Sequence, residues 1–238
     1  MWRIESSPLG RIAVPPVIPP GYAVFCTTRD FEGRLSPEIA ANVTRAIEER
    51  FGIASALTTC NQVHGVAVRR ASGERGWREC DSCDALWSDE RGVALAIKIA
   101  DCLPVTFIDP VHGVMANAHS GWRGAVGGVT AASLDAVAGE TAFGPSAAWA
   151  FLGPSIRTCC FEVGEEVAAQ FDGRYLDRSR AKAHVDLVTF TRDILLSRGF
   201  AEERISDSGL CTRCEGSVFH SYRKDGQARG RNLAIVAG

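Results

Sequence analysis

The sequence predicts a mixed α+β fold, and three observations carry the prediction. Short apolar runs bounded by turn residues recur at 93–99, 103–108 and 114–118, the pattern of buried strands. Helix signals stand between them, such as Ser36-Pro37-Glu38, an N-cap followed by proline at the first helical position and an acidic first turn. Strand and helix signals interleave without strict alternation, and no repeat, low-complexity tract or long linker separates them. The expectation is one domain over 1–238, with 1–20 as an irregular N-terminal extension.

Taken in order, the extension holds Pro8, Pro15, Pro16, Pro19 and Pro20 and lacks the apolar core of a signal peptide. Residues 22–28 are aromatic and β-branched, a strand. A helix follows from Ser36 to Arg50, ended by Gly52. Residues 63–70 alternate weakly and suggest another strand. The three apolar runs come next, then the stretch from Gly121 to Gly128 and a helix of small residues to about Ala138. Residues 148–152 form a strand. Val163, Val167 and Phe171 recur every four residues and mark an amphipathic helix stopping near Gly173. Asp186 caps a helix that points Leu187, Phe190, Ile194 and Leu195 inward and ends at Gly199. Residues 218–236 suggest a hairpin turned at Asp225-Gly226.

Composition narrows the function. Lys and Arg number 26 against 28 Asp and Glu, a net charge of −2, which argues against a general nucleic-acid or membrane-surface binder. No apolar run reaches the roughly 20 residues that cross a bilayer. The expected setting is the cytoplasm, with no membrane, nucleic acid or obligate protein partner. Nine cysteines, an odd count, do not describe a disulfide framework there.

His64 lies in Gln62-Val63-His64-Gly65, Cys102 in Ala100-Asp101-Cys102-Leu103-Pro104, and His119 in Ala118-His119-Ser120-Gly121. Each sits at a strand terminus beside a backbone breaker, where a rigid sheet positions a side chain and a loop leaves access. Two imidazoles and a thiolate suit zinc, with a fourth position left for water or substrate. Spacing alone does not bind the three together, since no short H-x-x-x-H pair is present. Cys80-Asp81-Ser82-Cys83 and Cys211-Thr212-Arg213-Cys214 are both C-x-x-C, but more than half the chain separates them, so a shared zinc site is not expected. Glycines from Gly121 to Gly128 allow backbone amides to approach an anion at a helix start, or serve tight packing. Tyr222, Arg223, Lys224, Arg229 and Arg231 form a basic cluster whose guanidinium groups could clamp phosphate; Arg229 and Arg231 would share a strand face.

These segments occur in a fixed order, continued by Gly153-Pro154-Ser155-Ile156, Cys159-Cys160-Phe161-Glu162-Val163-Gly164 and Phe219-His220-Ser221-Tyr222-Arg223-Lys224-Asp225-Gly226. The set resembles the YfiH-like, laccase-domain family, first labelled multicopper polyphenol oxidoreductases. The resemblance implies a four-layer α/β/β/α sandwich and a zinc-dependent phosphorylase of adenosine, inosine, guanosine and methylthioadenosine, with adenosine deaminase activity. It also implies a link to peptidoglycan precursor editing. The family's ligands fall on His64, Cys102 and His119. Residues 28–34 pass quickly into the first helix, so the loop that flanks the nucleoside pocket in this family is shortened here.

Under this reading Cys102, Asp101 and His119 are the catalytic candidates. Arg223 and Arg231, with Arg123 and Gln62, are expected to contact phosphate or nucleoside. Two rivals remain: a metal-free hydrolase of a cell-wall precursor with Cys102 as nucleophile and His119 as base, and a copper-dependent phenol oxidase. Copper binds such ligands more tightly than zinc and could load in vitro, but five histidines in the whole chain are few for a multicopper cluster.

Overall fold

Two β-sheets stacked face to face, with helices on both outer sides, make a four-layer α/β/β/α sandwich. The computed structural model describes residues 1–31, 35–74, 76–226 and 230–238. The strands are β1 (Arg3–Ser7), β2 (Gly10–Val14), β3 (Ala23–Thr27), β4 (Ala56–Cys60), β5 (Val68–Arg70), β6 (Trp77–Cys80), β7 (Ala85–Ser88), β8 (Val93–Ile99), β9 (Leu103–Asp109), β10 (Val114–Ser120), β11 (Trp149–Leu152), β12 (Leu176–Asp177), β13 (His184–Val185), β14 (Ile205–Asp207) and β15 (Asn232–Ala237). The helices are α1 (Pro37–Phe51), α2 (Trp122–Gly127), α3 (Val129–Glu140), α4 (Glu165–Ala168), α5 (Leu187–Ser197) and α6 (Tyr222–Asp225).

The first sheet runs β1-β2-β3-β15-β8-β4-β6 and the second β14-β11-β9-β10-β7-β5. Both are mixed: β8, β4 and β6 are parallel neighbours, while β9, β10 and β7 are antiparallel. The apolar runs that announced β8, β9 and β10 are continuous because both faces of each strand are covered. Leu95, Ile97 and Val236 point between the sheets towards Ile108, Met115 and Phe151. The alternate residues Ala94, Ala96 and Ile235 face outward under α1, which buries Val43 and Ile47 against them. Val105 and Phe107 of the second sheet face α3 and α5 through Leu134, Val137, Leu187 and Leu195. Each buried valine, leucine, isoleucine, methionine or phenylalanine among these contributes about 1.5–3 kcal/mol by leaving water. Asn117 adds a polar tie between layers: its amide donates from β10 to the carbonyls of Leu95 (3.1 Å) and Ala234 (2.8 Å) in the other sheet.

The expected caps hold. Ser36 accepts from the Ile39 amide, Gly52 ends α1 at φ 70°, and Asp186 accepts from the Thr189 amide ahead of α5. Several expectations do not. Residues 1–20 are not an irregular extension: β1 and β2 form an antiparallel hairpin that extends the first sheet, with Pro8 confined to its turn. Residues 218–236 are not a hairpin. Ser221 caps the single turn of α6, Gly226 stops it, and β15 inserts between β3 and β8 instead. Only Val68–Arg70 of the 63–70 stretch is strand, because a carboxylate binds the amides of 63–65. Val163, Val167 and Phe171 are buried, but only Glu165–Ala168 is helical. Arg229 and residues 32–34 of the shortened 28–34 loop lie outside the described residues.

Candidate metal centre and its cavity

The site forms where the chain crosses between the sheets. β8 ends at Ile99 and β9 starts at Leu103, so residues 100–102 pass from one sheet to the other with Cys102 on the crossing. β10 lies antiparallel to β9 and brings His119 opposite Pro104. The stretch leaving β4 supplies His64. One side-chain ligand atom from each of His64, Cys102 and His119 lies within 4.8 Å of the others, and the imidazole rings meet edge to face at 4.9 Å.

Asp84, which the sequence reading did not single out, organises this set. It is wholly buried just before β7. Its Oδ1 accepts from His119 Nδ1 (2.8 Å) and the His64 amide (2.9 Å); its Oδ2 accepts from the amides of Val63 (3.1 Å) and Gly65 (2.7 Å). His64 has φ 60°, a left-handed backbone that non-glycine residues rarely adopt, and these three converging amides hold it there. The carboxylate at Nδ1 leaves Nε2 as the atom through which His119 can bind a ligand.

The electrostatics follow. Burial alone would raise the Asp84 carboxyl, but His119 and the amide donors hold it below the usual range. Burial would likewise raise the Cys102 thiol, yet hydrogen bonds from His119 and His64 bring it down to about 6. Burial would lower His119, but Asp84 and Cys102 lift it to about 9. Without metal, Cys102 is a thiolate beside an imidazolium across neutral pH.

The donor set fits zinc: two imidazoles and a thiolate, with a carboxylate behind one imidazole. Close packing fits too. A Cβ on Gly121 would lie 2.9 Å from Cys102 Sγ and 3.4 Å from His64 Cδ2, so only glycine leaves these side chains their place.

A cavity of about 710 Å³ opens over the set. His64, Asp101, Cys102 and His119 line it, and so do Gln62 beside His64, Arg123 just after His119, and Arg223 and Arg231 from the C-terminal segment. The eight expected site residues thus share one space, but some are already engaged. Asp101 has φ 89°; its carboxylate accepts from Thr212 Oγ1 (2.6 Å) and the Arg223 amide (2.7 Å), tying the crossing to the C-terminal segment. Gln62 pairs through both ends of its amide with the Lys98 backbone. Arg223 Nη1 donates to the Glu162 carbonyl (2.9 Å), and Arg123 lies over the Trp122 ring. Among the described residues the two C-x-x-C pairs do not share a site: Cys83 packs on Cys60, while Cys211 and Cys214 gather with Cys159 and Cys160.

Residues 34–237 match the family model described as multi-copper polyphenol oxidoreductase laccase. The chain is 33% identical over 185 residues to the purine nucleoside phosphorylase YlmD of Bacillus subtilis, covering 74% of this chain and 66% of that protein. It is 33% identical over 164 residues to adenosine deaminase RL5 from an unknown prokaryotic organism, covering 66% of this chain and 62% of that one. The crystal structure of YlmD from Geobacillus stearothermophilus superposes with a TM-score of 0.77 at 25% identity, over 95% of both chains. The ordered motifs, the sandwich and the model match agree: the chain belongs to the multi-copper polyphenol oxidoreductase laccase family.

Proposed function

We propose that the protein is a zinc-dependent purine nucleoside phosphorylase that also deaminates adenosine, with adenosine, inosine, guanosine and methylthioadenosine as substrates. The observation that carries this is the convergence, in one cavity, of a three-ligand His/Cys set with guanidinium groups from distant parts of the chain. The names of the relatives supply the reaction class. His64, Cys102 and His119 would hold the zinc, and Asp84 fixes the His119 tautomer. When bound, zinc supplies a Lewis-acid position open to a substrate oxygen or to water.

The remaining work falls to the chain. Phosphorolysis needs an anion held against one face of the sugar, and Arg223, Arg231 and Arg123 supply cationic donors around the cavity. Half-exposed Tyr222 on the cavity wall offers a ring face for the purine. Asp101 acts as a positioning residue, since both carboxylate oxygens already orient Thr212 and α6. Deamination adds water at C6 of the adenine and releases ammonia, so the purine would enter the same cavity with its C6 edge, rather than its ribose, towards the metal position. This reading places the protein in the reducing cytoplasm, acting on small molecules without nucleic acid, membrane or an obligate partner. Incubating the protein with these nucleosides, with and without inorganic phosphate, tests it: free base and ribose 1-phosphate should form only with phosphate, and inosine should form from adenosine without it. Failure of both reactions contradicts the proposal.

A second reading has a specific observation behind it. Cys102, His119 and Asp84 are hydrogen-bonded in sequence, and the Cys102 thiol is brought down to about 6, which suits a cysteine nucleophile with an oriented base. A metal-free hydrolase keeps its activity under chelation and loses it when Cys102 is alkylated. Loss of activity on chelation removes this alternative.

A further inference from the structure

The second cysteine group lies apart from the centre just described and shares no residue with it. Cys159, Cys160, Cys211 and Cys214 are free thiols whose sulfurs all lie within 4.8 Å of one another. Cys214 Sγ is 3.4 Å from Cys160 Sγ and 3.6 Å from Cys159 Sγ. Four thiolates on a tetrahedral zinc with bonds of about 2.3 Å stand about 3.8 Å apart, close to this spacing. A role as small buried hydrophobes suits Cys160 and Cys211 but not Cys159 and Cys214, which are exposed.

The surroundings supply an independent indication. A zinc ion with four thiolates keeps surplus negative charge, and two arginines stand at the cluster. Arg213 Nη1 donates to Cys160 Sγ (3.5 Å), and Arg180 Nη1 donates to the Cys159 carbonyl (2.9 Å). The cluster also joins separate segments. The loop at 157–164 carries Cys159 and Cys160, and a backbone turn with Glu215 N donating to Cys211 O carries the other pair.

We propose that Cys159, Cys160, Cys211 and Cys214 form a second, structural zinc site that fastens the 157–164 loop to the 211–214 turn. Both fastened segments reach the cavity. Phe161 and Glu162 line it, the carbonyls of Cys160 and Glu162 accept from Arg223 Nη1, and Thr212 holds Asp101 beside Cys102. Four sulfurs leave no open position, so the site holds a wall in place and takes no substrate. The arrangement also explains how the C-x-x-C at 211–214 finds partners without the C-x-x-C at 80–83.

The test uses the full chain purified under reducing conditions from zinc-supplemented cells. Cys102→Ala removes a ligand of the cavity centre. This variant should retain one zinc per chain, and X-ray absorption at the zinc edge should show sulfur ligands only, at about 2.3 Å. Adding Cys211→Ser and Cys214→Ser to it should bring the zinc content to zero. Should that variant be insoluble, the absorption spectrum of Cys102→Ala decides alone. Zinc-free Cys102→Ala, a zinc shell containing nitrogen or oxygen, iron instead of zinc, or a disulfide within the group in the untreated protein overturns the proposal. If the cavity centre takes no zinc, wild-type protein itself gives one all-sulfur zinc per chain, so the two readings fail separately.

Discussion

Asp84→Asn tests how the cavity centre is held. The carboxylate accepts four hydrogen bonds, two at each oxygen, and is wholly buried. Asparagine keeps the shape but turns one oxygen into a donor. Placed at Oδ1, the NH2 group faces His119 Nδ1 and the His64 amide; placed at Oδ2, it faces the amides of Val63 and Gly65. Either orientation ends two hydrogen bonds. Hydrogen bonds to charged groups contribute about 1.5–3 kcal/mol each, so the loss is about 3–6 kcal/mol, divided between folding and the left-handed backbone of His64. Loss of such a supporting group lowers metal affinity by about 10- to 100-fold. Urea unfolding measures the first effect and competition with a chromophoric chelator the second. Wild-type unfolding together with wild-type zinc affinity would refute the argument that Asp84 organises the centre.

Gly121→Ala should weaken zinc binding with little change in backbone conformation, because the new methyl meets Cys102 Sγ at 2.9 Å; the check is the same chelator competition alongside circular dichroism. Arg223→Ala and Arg231→Ala should each raise the phosphate concentration needed for half-maximal phosphorolysis by about 10- to 100-fold, from one lost charged hydrogen bond, and spare deamination. A parallel fall in both activities would make these residues structural or nucleoside-binding. In metal-stripped protein, iodoacetamide alkylation of Cys102 should rise through a midpoint near pH 6. The sign follows from linkage: a lowered thiol loses its stabilising contribution as pH falls through about 6, and a raised His119 loses its own as pH rises through about 9, so the stripped centre is steadiest between. An alkylation midpoint near that of an ordinary thiol contradicts this.

What the sequence disclosed is what local chemistry writes into it. Ser36, Pro37 and Gly52 mark both ends of α1, and strands covered on two faces, such as β8 and β9, show as unbroken apolar runs. His64, Cys102 and His119 stood out because their residue types are rare and chemically specific. Asp84 did not, because an aspartate in Cys80-Asp81-Ser82-Cys83-Asp84 looks like part of a polar turn; its partner His119 is 35 positions away and only the pairing of β7 with β10 joins them. The cysteine group was hidden in the same way, since Cys159 and Cys214 meet across 55 positions. The terminal segments misled through proline and glycine: Pro8 sits in a hairpin turn, and Gly226 stops a helical turn.

One measurement tests the central claim most directly. The protein is stripped with a chelator, reloaded with zinc, and assayed at each stage for phosphate-dependent release of purine base from adenosine, with Cys102→Ala carried in parallel. The account predicts that activity vanishes on stripping, returns with zinc, and stays absent in Cys102→Ala. Undiminished phosphorolysis by stripped protein, or by Cys102→Ala, would contradict it.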